Sequence, residues 1–283
     1  MGEYNFLLDN MTWSFSRLSS FDQCPYEWYL KYIEEAERYD TGFFSSFGGF
    51  CHEILEGWLK GSHQTHELAE LFVAGYDKAI PNAEDYSWND GYFDSGAYFF
   101  SEGIETLSTY LNGKIVCGVE KEIHTTVGGK PFIGYIDLLL QDCDGSYIII
   151  DHKSSKFPLK KNGEPLKNCE KKWQNYKRQL YLYAKAVQEE TGTFPVALGW
   201  NFFRDGKMYV IPFVMDEYRE ALTWAEDTIK KIYSERKYEP NPDMFYCANL
   251  CDYSKEECGY GSERIRSSAR SHGVQSERCD DKD

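Results

Sequence analysis

Gly134-Tyr135-Ile136-Asp137-Leu138-Leu139-Leu140 and the nearby Ile148-Ile149-Ile150-Asp151-His152-Lys153 are two apolar, strand-like runs, each carrying an aspartate near one end. Short runs dominated by Ile and Leu read as buried strands. A carboxylate inside such a run is costly to desolvate unless a cation or hydrogen-bond donors compensate, and a divalent metal is the simplest compensation. Lys153 lies two residues beyond Asp151, so strand periodicity returns it to the same sheet face. Two carboxylates at strand ends can hold Mg²⁺ or Mn²⁺ through oxygen, and an ammonium beside them can orient or deprotonate water. This is the equipment of metal-assisted phosphodiester hydrolysis. Asp-x-Lys alone is more often a buried ion pair, so its neighbours must carry the reading.

Turn arithmetic brings in a third carboxylate. Gly128-Gly129 reads as a two-residue hairpin turn, pairing Val127 with Lys130 and, by counting back, Glu120 with Asp137. The next hairpin closes around Asp142-Cys143-Asp144-Gly145. A four-residue loop there sets Asp137 opposite Ile150, on the wrong face relative to Asp151. A five-residue loop ending at Ser146, or a bulge, aligns Asp137 with Asp151, and that register is the one expected.

Further candidates lie outside the hairpins. Gln179 and Tyr183 are four apart in an expected helix from Lys172 to Glu190 and share one face, from which they can reach a phosphate or base; an ordinary amphipathic helix is the alternative. His52 follows Phe47-Gly48-Gly49-Phe50-Cys51 and opens a helix-like segment to Trp58, and its imidazole would favour Mn²⁺ over Mg²⁺. Net charge is −15, from 31 basic and 46 acidic side chains, which repels a polyanion unless the cations are gathered. They are gathered directly after the strand pair: Lys153, Lys156, Lys160, Lys161, Lys167, Lys171, Lys172, Lys177 and Arg178 stand against only Glu164 and Glu170. This segment is read as a rim guiding phosphates to the metal, with a solvated lysine-rich loop as the plainer alternative.

The order His52, Gly134-Tyr135-Ile136-Asp137, Asp151-His152-Lys153, Gln179-Leu180-Tyr181-Leu182-Tyr183 resembles the RecB-like branch of the PD-(D/E)XK nucleases. That branch includes CRISPR-associated RecB-like exonucleases, AddB-type nuclease domains and phage relatives. The resemblance extends to Phe15-Ser16-Arg17-Leu18-Ser19-Ser20-Phe21-Asp22-Gln23-Cys24-Pro25 and runs from Trp13 to Cys258. It implies a restriction-endonuclease-like α/β fold, a mixed sheet flanked by helices, with an N-terminal helical insertion and a C-terminal cysteine segment. It implies that Asp137, Asp151, His52 and the backbone carbonyl of His152 hold Mg²⁺ or Mn²⁺. Lys153, Gln179 and Tyr183 would complete the catalytic set, with Glu120 accessory and Lys156, Lys160, Lys161, Lys171, Lys172, Lys177 and Arg178 on DNA. The implied substrate is a single-stranded DNA end cut by exonuclease action, in recombination, repair, or phage or CRISPR DNA processing. Implied partners are a recombination or CRISPR-adaptation protein or further copies of the chain. The competing reading is a non-catalytic DNA-end-binding subunit.

Nine cysteines and no apolar leader at Met1-Gly2-Glu3-Tyr4 argue against a secreted disulfide framework and for a cytoplasmic setting. Cys247, Cys251 and Cys258 cluster in sequence, and with Cys24 make four thiolates. In the resembled family one amino-terminal and three carboxy-terminal cysteines hold a 4Fe–4S cluster, zinc being the tetrahedral alternative. The spacing here is one residue longer at each step than the common pattern. Cys51, Cys117, Cys143, Cys169 and Cys279 read as ordinary residues.

With 283 residues, 42% hydrophobic and 17% aromatic, the chain is read as one elaborated domain over residues 1–258: a helical region at about 47–111, a sheet core at about 115–237 and a cysteine segment at about 241–258. Residues 259–283, poor in apolar side chains, read as a disordered tail. No stretch approaches a membrane span.

Overall fold

Aromatic side chains at helical spacing organise the first half of the chain in the computed structural model, which describes residues 4–37, 42–254 and 258. Residues 259–283, the expected tail, lie outside that description, as does Cys279. The described chain divides into two compact units. One contains, of the described residues, 4–37, 42, 124–133, 219–254 and 258, the other residues 43–123 and 134–218.

The first unit opens with helices α1 (Asn5–Asp9), α2 (Phe15–Gln23) and α3 (Pro25–Tyr32). The Ser14 hydroxyl caps α2 by accepting the Arg17 N–H at 3.2 Å, and Pro25 stands in the first turn of α3, where its missing N–H costs nothing. The chain thus breaks between two helices at Cys24-Pro25. Trp28 is fully buried and stacks on Tyr238, with ring centroids 6.0 Å apart and planes within 4°.

The second unit begins with α4 (Phe43–Leu59), α5 (Leu68–Ala79) and α6 (Asn89–Tyr98), then a π-helical turn (Phe99–Gly103) and α7 (Ile104–Leu111). Helix α4 starts nine residues before His52, so His52 lies inside a helix and does not open one. Phe43, Phe47, Cys51, Ile54 and Leu55 are all buried along one stripe. Burial of that stripe outweighs the helix-weakening Gly48-Gly49 pair. Phe99 and Phe100 are 0% and 1% exposed, so they belong to the core.

Strands β1 (Ile115–Val127), β2 (Lys130–Gln141) and β3 (Tyr147–Lys153) follow, then α8 (Glu170–Thr191), β4 (Ala197–Phe202), β5 (Lys207–Pro212), α9 (Met215–Ser234) and α10 (Met244–Asn249). The sheet order is β1-β2-β3-β4-β5. Gly128 and Gly129 both have positive φ, +56° and +73°, as a two-residue hairpin turn requires. Strand β2 is antiparallel to β3, β3 parallel to β4, and β4 antiparallel to β5. The parallel step needs a crossover, which α8 supplies, and it leaves the ends of β3 and β4 on one edge of the sheet.

The five-residue loop Asp142–Ser146 closes the β2–β3 hairpin, with the Asp142 N–H donating to the Ser146 carbonyl at 2.8 Å. Leu138 pairs with Ile150 and Leu140 with Ile148, and the same register continued brings Asp137 level with Asp151. Leu138, Leu140, Ile148 and Ile150 form one buried cluster with Leu59, Tyr110 and Leu111 against it. Asp137 and Asp151 alternate to the other face, toward α8, where the Trp173 ring meets that of Trp200 at 4.6 Å. The fold is α/β, a mixed five-stranded sheet flanked by helices.

Candidate active site

Three ligand atoms converge where α4, β1 and β2 meet: one each from His52, Glu120 and Asp137, all within 4.8 Å of one another. His52 Nδ1 lies 3.4 Å from Glu120 Oε1 and 3.8 Å from Asp137 Oδ2. Its Nε2 is 3.1 Å from the His152 carbonyl oxygen. Asp137 Oδ2 accepts the His152 N–H at 2.6 Å, a bond that locks the β2 carboxylate to the end of β3. Glu120 reaches this point from a left-handed backbone, φ +49°, unusual for a non-glycine residue inside a strand and costing on the order of 1–3 kcal/mol.

A second constellation adjoins the first. Lys153 Nζ lies 2.6 Å from Asp151 Oδ2 and donates to Gln179 Oε1 at 3.0 Å, while Gln179 Nε2 donates to the Tyr183 hydroxyl at 3.4 Å. Gln179 and Tyr183 thus lie on one face of α8, as their spacing required. Gly134 makes room for this: a Cβ there would stand 2.4 Å from the Tyr183 ring.

The electrostatics are those of a cation site. Burial and then the Asp151 charge push the Asp137 carboxyl up to about 7, against the opposing pull of His52 and the His152 N–H. Burial alone would lower the His52 pKa, but its hydrogen bond to Glu120 and the charges of Asp137 and Asp151 outweigh that and raise it. Burial likewise opposes the Lys153 charge, and Asp151 outweighs it. The Asp137 carboxyl, holding its proton above its ordinary range beside an imidazole that also retains its proton, marks a deficit of positive charge. A divalent ion can supply it, and nitrogen plus carboxylate oxygen is a donor set it accepts.

Each expected residue can now be placed. His52, Asp137, Asp151, Lys153, Gln179 and Tyr183 adjoin one another, and Glu120, expected only as an accessory, belongs to the tight trio. Asp151 is instead turned to Lys153. His152 meets His52 through its backbone carbonyl, while its buried imidazole, driven toward the neutral form by that burial, has Asn201 Nδ2 3.1 Å from its Nδ1. Tyr176 was not anticipated: the Lys153 ammonium lies 4.5 Å over its ring centroid. Its position three residues before Gln179 on the same helix face was the available signal.

The lysine-rich segment is folded back on itself. Leu159 bridges Pro165, Pro158 and Leu159 are buried, and the Phe157 N–H donates to Asp205 Oδ2 at 2.6 Å. Lys156, Lys160, Lys161, Lys167 and Lys171 are exposed, whereas Lys172, Lys177 and Arg178 are half-buried. Lys177 is paired with Glu217 at 2.8 Å, and Lys160 with Glu164 at 3.5 Å.

In the first unit, Cys24, Cys247, Cys251 and Cys258 line one cavity together with Glu27 and Tyr246. The Tyr246 hydroxyl donates to Glu27 Oε2 at 2.7 Å, and the Asn241 N–H points at Cys24 Sγ, 3.4 Å away. Burial first, then Glu27, pushes the Cys251 thiol up. Among the described residues no three of these sulfurs come within 4.8 Å of one another, unlike the His52 trio.

No curated protein matches the chain. Among solved structures, a Eubacterium rectale protein described as a "putative exonuclease" is similar over 91% of this chain and 90% of its own, at 15% identity and a TM-score of 0.55, a likeness of fold. The protein SSO0001 aligns over 89% of this chain and 94% of its own at 18% identity, with a TM-score of 0.33. The profile of the PD-(D/E)XK nuclease superfamily matches residues 12–258. With the strand pair, the lysine and the ligand trio in place, the chain belongs to the PD-(D/E)XK nuclease superfamily and is a metal-dependent nuclease.

Proposed function

We propose that the protein is a DNA exonuclease acting on single-stranded ends, with Mn²⁺ or Mg²⁺ bound by His52, Glu120, Asp137 and the His152 carbonyl, and Asp151 beside them. The observation that carries this reading is the convergence of the His52, Glu120 and Asp137 ligand atoms within 4.8 Å, next to an ammonium held by Asp151. A bound divalent ion would polarise the phosphoryl oxygen and ease deprotonation of water. Lys153, anchored by Asp151 and Gln179, presents fixed positive charge to the developing phosphorane. Gln179 and Tyr183 orient the strand. The exposed Lys156, Lys160, Lys161 and Lys171 attract phosphates toward the site in a chain that is otherwise strongly acidic, and Lys172 and Arg178 add to them. Lys177 contributes least, because Glu217 already neutralises it.

The four-cysteine cavity is assigned to a 4Fe–4S cluster. Four thiols lining one cavity are the donor set such a cluster takes. Iron and acid-labile sulfide should be recovered from anaerobically purified protein, and zinc in their place would overturn this assignment.

Nuclease assays on end-labelled single-stranded DNA, duplex DNA and RNA, with Mg²⁺ or Mn²⁺, test the activity. Progressive release of short products from single-stranded DNA is expected, with Asp137→Ala and Lys153→Ala each losing at least about 100-fold in kcat. Equal digestion of RNA, or cutting of circular DNA, would contradict the substrate and mode proposed.

A further inference from the structure

Tyr176 sits at a junction that the catalytic assignment does not use. Its ring faces the Lys153 ammonium at 4.5 Å, and Lys172, four residues earlier on α8, lies 5.9 Å from the same ring. Its hydroxyl is 2.7 Å from Ser155 Oγ, in the segment leading from β3 into the basic loop, and its ring leans on Phe202 at the end of β4, 6.1 Å between centroids. An ammonium has three donor directions. Asp151 and Gln179 occupy two of those around Lys153, and the Tyr176 ring closes the remaining side with an aromatic face, which attracts a cation without accepting its proton.

We propose that Tyr176 is a positioning residue for Lys153: its ring holds the ammonium in the direction set by Asp151 and Gln179, and the hydroxyl bond to Ser155 is a minor support of that ring. This rests on the reading of Lys153 as the charge presented to phosphate. The aromatic face is the working part. Replacing the ring should therefore free the lysine, whereas removing only the hydroxyl should not.

The full-length protein is compared with Tyr176→Phe, Tyr176→Leu, Lys153→Ala and the Lys153→Ala/Tyr176→Leu double variant, by steady-state cleavage of labelled single-stranded DNA with Mn²⁺. Thermal melting and acetic anhydride labelling of Lys153, read by mass spectrometry, accompany the kinetics. Tyr176→Leu should lower kcat about tenfold with little change in KM or melting temperature, and raise Lys153 labelling severalfold. Tyr176→Phe should restore the rate to within about threefold and the labelling to the parent level. The double variant should be no slower than Lys153→Ala. An unchanged kcat and labelling in Tyr176→Leu, an equal loss in Tyr176→Phe, or a loss confined to KM would overturn the proposal. Full activity in Lys153→Ala would instead remove the reading of Lys153, and the labelling would still report whether Tyr176 holds it.

Discussion

Asp137 is the residue on which the site turns, and its protonation sets a stability profile. Folding raises its carboxyl from 3.8 to about 7, so between those values the native state holds a proton that the unfolded chain has released. The Asp137 contribution to the stability of the metal-free protein therefore falls as pH rises from about 4 to 7, by on the order of a few kcal/mol. Denaturant titrations of metal-free protein across this range should show the decline, with Asp137→Asn flattening it. Added Mn²⁺ should stabilise most at the upper end, where the uncompensated charge is greatest. Glu120 adds a second case at this scale. Glu120→Gln should weaken Mn²⁺ binding roughly tenfold by calorimetry. Glu120→Gly should weaken it as much while relieving the positive φ, so that its metal-free melting temperature does not fall.

At the scale of elements, the close fit of β2 and α8 decides whether two separate sequence motifs form one site. A methyl at Gly134 would stand 2.4 Å from Tyr183, and both lie against buried surface with little freedom to yield. Gly134→Ala should cost about 1–3 kcal/mol in chemical denaturation and lower kcat by disturbing Gln179 and Tyr183, with metal affinity retained. The β2–β3 loop is the other element-level determinant. Deleting Cys143 while the connection keeps its five-residue geometry draws one strand residue into the loop and shifts the pairing by one, which would turn Asp137 away from Asp151. Calorimetry should then detect no Mn²⁺ binding in whatever folded protein remains.

Across the whole molecule, the net charge of −15 and the local lysine segment pull in opposite directions, and salt dependence separates them. Lys156→Glu/Lys160→Glu/Lys161→Glu should weaken single-stranded DNA binding at least about tenfold at low salt and flatten the plot of log Kd against log salt by roughly 2. Turnover at saturating DNA should be kept, because none of the three touches the metal ligands.

The sequence by itself determined the strands, because unbroken Ile and Leu runs and paired glycines leave few alternatives, and it marked Asp137, Asp151 and Lys153, because charge inside such runs demands a partner. Gln179 and Tyr183 were legible from helical periodicity. Helix α4 was read too short, since two glycines weaken a local signal that buried aromatics elsewhere in the fold override. Only the tertiary structure decided that the hairpin loop has five residues, that Glu120 leaves regular strand geometry to join His52 and Asp137, that Asp151 turns to Lys153, and that Tyr176 closes over that lysine. These contacts join residues far apart in the chain, and their distances follow from packing, which no local pattern encodes.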